Sequence, residues 1–460
     1  MNNDTGLTIT SLAPLIRRKK ISPVELTTFL LDRISRLQPT INAYITVTAE
    51  TALAQAREAE KEIVNRRYRG ALHGIPISLK DLFYTRGIRT TAGSLVLKDL
   101  VPAKNAEVVD RLLKAGCILL GKTNMHEFAF GATNVNPHYG PVRNPWDLSR
   151  ISGGSSGGSA ASVVSAQAIA SFGTDTGGSI RIPSAACGCV GFKPTYGQVS
   201  LEGVIPLSTT LDHAGPLARC VSDAALLFDA VAGLGVASIR IREGAKSLKI
   251  GVPLQYFFDR VHPEIRRAIS AAVEVFEKLG AEIWEVNLRG MEETERLAAE
   301  ITGAEAFAFH EKWLQPKSGE YGDDVRSRLE QSRGMTAAAY IQCLQSRARY
   351  SREFGRIMET VDLLLAPTLP VAAPELGEEE VKIGRSRENV RLAMLRLTRP
   401  GNLTGLPAIT VPCGFTAKGL PIGLQLIGRW YEDARVLNAA YAYEQATPWH
   451  HQFPKDEELR

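Results

Sequence analysis

Cysteine is scarce in this chain. Six cysteines are spread over 460 residues, too few for a disulfide framework and in keeping with a reducing, cytoplasmic setting. Cys187-Gly188-Cys189 is the one close pair. With no second pair or histidine at ligand spacing it does not read as a metal site. His126-Glu127 likewise lacks the second histidine of a zinc-protease helix. No apolar run approaches the roughly 20 residues of a membrane span. Met1-Asn2-Asn3-Asp4 lacks the charged-then-apolar pattern of a secretion signal. Charge of one sign is not in excess either: a formal +5 over this length does not by itself imply a nucleic-acid partner. The short basic patches Arg17-Arg18-Lys19-Lys20 and Arg66-Arg67-Tyr68-Arg69 read as solvated surface. The expectation is therefore a soluble protein with no metal, no cofactor, no membrane and no nucleic acid.

What is present is ordinary globular material. A hydrophobic content of 44% with 22% charged residues builds a sizeable core. The first 65 residues read as helix, with Ser22-Pro23-Val24-Glu25 combining an N-cap serine, a proline at the first helical position and a capping-box glutamate. Gly74 to Phe83 reads as extended, and its Pro76 suggests an edge strand or a strand start. Asn105 to Ala115 reads as helix and Cys117 to Leu120 as a buried strand. Gln167 to Gly173, Leu248 to Pro253, Leu363 to Pro370, Pro407 to Pro412 and Gly423 to Gly428 read as further buried or extended runs. His262 to Leu279 and Ala434 to Gln445 read as helices. No linker separates domains. The alternation predicts one α/β unit over residues 1–460, divided into a helical region 1–65, a core 66–235, a largely helical variable region 236–350 and a returning core 351–460.

Two glycine-serine clusters carry the chemistry: Gly153-Gly154-Ser155-Ser156-Gly157-Gly158-Ser159 and Asp175-Thr176-Gly177-Gly178-Ser179-Ile180-Arg181. Serine is a poor nucleophile unless a base activates it, and glycine turns leave bare N–H groups to receive an oxyanion. Gly154 to Gly158 formally matches a nucleophile elbow, but the polar approach Asp147 to Ser152 lacks the strand that an elbow needs. The P-loop pattern fails for want of a Gly-Lys-Ser/Thr ending. Lys80, at the end of the strand-like run Gly74 to Asp81, is a candidate base. Burial among Ile75, Ile77, Leu79 and Phe83 disfavours its ammonium form. Asp81 must point to the opposite strand face, or it would keep that lysine charged.

The segment Gly153 to Pro183 resembles the signature of the amidase signature family of serine hydrolases. Further stretches fit: His73-Gly74-Ile75-Pro76, Gly121-Lys122-Thr123-Asn124, Arg143-Asn144-Pro145-Trp146, Gly191-Phe192-Lys193-Pro194-Thr195, Asn402 to Ala408 and Gly419 to Gln425. The resemblance implies a large single domain with a mixed, twisted β-sheet covered by helices on both faces. It implies a Ser-Ser-Lys triad of Ser179 as nucleophile, Ser155 as bridge after a cis peptide, and Lys80 as base. Thr176, Gly177, Gly178 and Ser179 would form the oxyanion hole. Ser156, Asp175 and Arg181 would order the loops, while Ala129 and Phe130 would border the acyl pocket. His213 is a candidate pocket-wall residue, and His73 reads as structural.

The expected activity is hydrolysis of a C–N bond in a small or medium amide without any cofactor. An aryl-containing substrate is suggested by Phe307, Phe309 and Trp313 beside Arg326, Arg328 and Arg399. Carbamate or urea-type hydrolysis is an alternative. So is the glutamine-hydrolysing A subunit of a tRNA-dependent amidotransferase, although that subclass carries an acidic residue where this chain has Leu395. A catalytically silent binding subunit is the alternative of another kind. A small amide or carbamate is the expected partner, and a homodimer is left open.

Overall fold

The computed structural model describes residues 6–455 and 459. Its centre is an eleven-stranded sheet. From one edge to the other the strands run Tyr44–Val47, Ile118–Thr123, Pro76–Lys80, Ala170–Thr174, Ala214–Ala218, Val190–Lys193, Ala408–Phe415, Pro421–Gly428, Leu363–Pro367, Lys249–Pro253 and Glu282–Val286. Pairing is mixed: Pro76–Lys80 lies parallel to both of its neighbours, whereas the strands from Ala170 to Leu363 pair antiparallel. The central strands are buried along their whole length, as strands covered by helices must be. This is the single-domain α/β architecture with flanking helices that the sequence implies.

Local signals explain many of the elements. Ser22 accepts from Val24 N at 3.0 Å and Glu25 N at 3.3 Å, and the Glu25 side chain returns the bond, starting the helix Pro23–Ile41. The helices Glu107–Lys114, Pro263–Lys278 and Asp433–Gln445 fall where the apolar periodicity puts them.

Two readings need correction. The first 65 residues are not all helix, because the β-branched run Tyr44–Val47 forms the sheet's edge strand. Of the two readings of Pro76 the strand start holds: it opens an inner strand, and as the first residue it gives up no ladder donor in mid-strand. The polar stretch Asp147–Ile151 is a strand after all. It pairs with Arg143–Asn144 in a hairpin apart from the main sheet and makes a single bridge from Arg150 to Glu375, and its polarity marks its partial exposure.

Among the described residues no helix is long and apolar enough to cross a membrane.

Candidate active site

Two parallel strands, Pro76–Lys80 and Ala170–Thr174, end side by side. A crevice beyond the carboxyl ends of parallel strands is the usual place for a ligand in an α/β sheet. Lys80 is the last residue of the first strand and is wholly buried. Its Nζ donates to Ser155 Oγ at 2.8 Å and to Thr174 Oγ1, at the end of the neighbouring strand, at 2.9 Å. Burial lowers the amine's pKa to about 7, against the opposing pull of Asp212 and Asp175. Asp81 points away, as strand alternation requires. It accepts from the Thr91 N–H and hydroxyl and faces Lys122 Nζ at 3.3 Å.

Ser155 follows a cis peptide bond with Gly154, immediately before the helix Gly157–Val164. Ser179 lies in the loop between Ala170–Thr174 and the short helix Arg181–Cys187. The Ser156 N–H donates to the Ser179 carbonyl at 3.2 Å, and the Ser156 hydroxyl donates to Thr174 O at 3.2 Å, so this serine ties the two clusters together. Among the described residues the Ser179 hydroxyl has no hydrogen-bond partner, and the residue lines a cavity. Catalytic hydrogen bonds are often loose until substrate is bound.

Backbone donors crowd the same place. None of the N–H groups of Thr176, Gly177, Gly178 and Ser179 is engaged by a described residue. The loop that carries them is held from both sides: Thr176 Oγ1 donates to Asp212 Oδ1 at 2.5 Å and Thr398 Oγ1 donates to Gly177 O at 2.6 Å. At Gly178, φ is +132°, and a Cβ would stand 2.1 Å from Thr398 Oγ1, so glycine is required there. Asp175 closes the far end. Its carboxylate accepts from Ile180 N, from Arg181 Nε and Nη2, and from Asn402 Nδ2. Burial alone would raise its pKa, but the Arg181 charge overrides this and holds the carboxyl well below the usual range.

The cavity in front of Ser179 has a volume of about 150 Å³. Ala129, Phe130, Thr176 and Gly177 line it together with Leu395, Arg328, Arg391 and Arg399. The structure thus brings together the expected lysine, both serines, the glycine turn and both pocket residues. His213 is not part of the wall; its Nδ1 is within hydrogen-bond distance of Leu211 O and Asp175 O behind the loop. His73 faces Glu62 at 3.0 Å, away from the site. The rings of Phe307, Phe309 and Trp313 do not line the cavity, nor does Arg326, which pairs with Asp323. Periodicity within one long helix, Thr294–Leu314, could not show which face turned inward.

Sequence reasoning missed four residues: Thr174, Asp212, Arg391 and Asn402. Asp212 adjoins His213, but nothing in the string pairs it with Thr176 across the fold.

Among the described residues no cluster of His, Cys, Asp or Glu could hold a metal ion.

An α/β fold with buried lysine, serines and unengaged N–H groups at adjacent strand ends is that of a carbon–nitrogen hydrolase. The family model described as Amidase matches residues 25–437. The chain belongs to this family, that of the amidase signature enzymes. It is 39% identical to the A subunit of the glutamyl-tRNA(Gln) amidotransferase of Geobacter sp. (strain M21), over 96% of this chain and 98% of that one. A crystal structure of an amidase shares 38% identity at a TM-score of 0.91, covering 95% of this chain and 99% of its own. The A subunit of the glutamyl-tRNA(Gln) amidotransferase from Thermotoga maritima shares 32% identity at a TM-score of 0.82, covering 99% of this chain and 98% of its own.

These relatives overturn the expectation that nucleic acid has no part in this protein's setting. Two are subunits of enzymes named for a tRNA.

Proposed function

We propose that the chain cleaves the C–N bond of a small amide through an acyl-enzyme on Ser179. Neutral Lys80 takes a proton from Ser155 as Ser155 takes one from Ser179, whose oxygen attacks the carbonyl carbon. The N–H groups of Thr176, Gly177, Gly178 and Ser179 receive the oxyanion, where removing one such donor typically costs about 2.7–4 kcal/mol. The relay returns the proton to the departing nitrogen, and water then hydrolyses the ester by the same route. The observation that carries this reading is the wholly buried lysine whose bonding partners are two hydroxyls and no carboxylate.

Of the finer readings, the glutamine-hydrolysing A subunit of a tRNA-dependent amidotransferase has more support from the relatives than the free-standing hydrolase of aryl or medium-chain amides or carbamates. In that reading the reaction partners are other subunits and an aminoacyl-tRNA. One observation favours the free-standing enzyme: Leu395 lines the cavity, and no lining residue among those described is acidic.

Ammonia or amine release from glutamine, p-nitroanilides, primary amides and aryl carbamates, with and without added amidotransferase partner subunits, tests these readings. Glutamine turnover stimulated by partners supports the amidotransferase reading. Faster turnover of a simple amide or carbamate by the chain alone supports the free-standing enzyme. No turnover of any of them, with Ser179 inert to a fluorophosphonate, defeats both.

A further inference from the structure

Three arginines share the cavity with Ser179: Arg328 from the helix Asp323–Ser332, Arg391 from Val390–Arg396 and Arg399 from Arg399–Thr404. Arg399 lies against the oxyanion loop, its Nε 3.9 Å from where a Cβ on Gly177 would stand. Their charges are poorly matched. Arg328 pairs with Asp324 at 2.6 Å, but that carboxylate oxygen also faces His126 Nε2 at 3.0 Å. Arg399 Nη1 donates to the backbone oxygen of Glu295, and the Glu295 carboxylate sits 4.0 Å from Arg260.

Arg391 has no hydrogen bond or ion pair among the described residues, and its Nε, like that of Arg328, is buried without a partner. Burial, with the like charges of Arg328 and Arg399, lowers the Arg391 pKa to about 9. Three converging guanidinium groups with only the shared Asp324 carboxylate beside them are costly unless an anion meets them. Their planar forks suit a carboxylate.

We propose that Arg391, with Arg399 and Arg328, binds a carboxylate on the substrate's acyl group, so that the substrate is the monoamide of a short dicarboxylic acid bearing no α-amino group. No lining carboxylate among the described residues meets an ammonium, which would face three positive charges instead. Because the arginines line the same cavity as Ser179, the carboxylate they hold lies within a few carbons of the carbonyl. Attack by Ser179 breaks the C–N bond and releases ammonia; water then breaks the ester. One amide and one water give one dicarboxylate and one ammonium ion. The inference rests on the acyl-enzyme reading of Ser179, and it sides with the free-standing enzyme against the glutamine-hydrolysing subunit.

Ammonia release is compared for 4-carbamoylbutanoate (glutamine without its amino group), glutamine and the uncharged pentanamide. The expected kcat/KM for 4-carbamoylbutanoate is at least 100-fold above pentanamide and tenfold above glutamine. Arg391→Met lowers it at least 30-fold, mainly through KM, and cuts its advantage over pentanamide at least tenfold. Equal or better turnover of pentanamide or glutamine by the wild-type protein overturns the proposal. Calorimetric titration of glutarate into Ser179→Ala reads the arginines independently of chemistry. Binding that weakens at least tenfold on adding Arg391→Met supports the proposal, and no binding to Ser179→Ala overturns it. Glutarate binding without turnover of any amide counts against the Ser179 reading and leaves standing only the carboxylate-binding role of the arginines.

Discussion

Thr176 Oγ1 donates to Asp212 Oδ1 at 2.5 Å, which fastens the loop of free N–H groups to a buried carboxylate whose charge also acts on Lys80. The same acid therefore touches both halves of the proposed reaction. It fastens the loop by a hydrogen bond and, by its field, opposes the fall in the amine's pKa that burial causes. Burial raises the pKa of Asp212 itself to about 6, partly offset by the Thr176, Leu207 and Ser208 donors.

Asp212→Asn keeps an acceptor for Thr176 and removes the charge. Because Asp212 raises the Lys80 pKa, the rising limb of the pH–rate profile moves to lower pH. A pH profile of kcat/KM checks this; an unmoved limb with reduced kcat at all pH values shows that Asp212 acts on the loop alone.

In the unaltered protein the profile itself is fixed by Lys80. The amine is active when neutral, and its pKa is lowered to about 7 by burial. Activity is thus expected to rise about tenfold per pH unit below 7 and to level off above it. A rate that falls between pH 6 and 8 points to another base.

Ser179→Ala removes the proposed attacking oxygen, and Lys80→Met removes the proposed base. Each is expected to lower kcat by at least about a thousandfold, and the double variant by little more, since residues acting as a unit are not additive. Steady-state kinetics on the best amide from the substrate panel read this directly.

Asp175→Asn leaves the buried Arg181 guanidinium short of its charge partner. Breaking a buried pair from one side costs roughly 3–5 kcal/mol, so a lower midpoint in denaturant unfolding is expected. The sign of the pH effect follows from the depressed Asp175 pKa. Its contribution is present above the unfolded carboxyl pKa and is lost as pH falls towards the folded value.

Gly178→Ala puts a Cβ into Thr398 Oγ1 at a φ of +132°. Strain of about 1–3 kcal/mol is expected. Scanning calorimetry shows it as a lower Tm, with activity lost from a displaced oxyanion loop.

The lysine and the two glycine-serine clusters that the fold brings together were legible in the sequence, because a glycine turn and the end of a strand are local patterns. The opposite orientation of Asp81 was legible too, since alternation is a property of any strand. What stayed hidden was set by distance in the chain. Thr174 reaches Lys80 only because their strands lie side by side, and Asp212 reaches Thr176 through a return strand. Arg391 meets Arg328 and Arg399 through three separate helices. Phe307, Phe309 and Trp313 misled for the same reason: composition told of rings, and tertiary packing turned them away from the cavity.

The most direct test is mass-mapped labelling by a fluorophosphonate at pH 8, comparing the wild-type protein with Lys80→Met. Stoichiometric modification of Ser179 is predicted in the first, and labelling slowed at least a hundredfold in the second. Modification at another serine, or equal rates in both proteins, contradicts the view that a buried, uncharged lysine activates this hydroxyl.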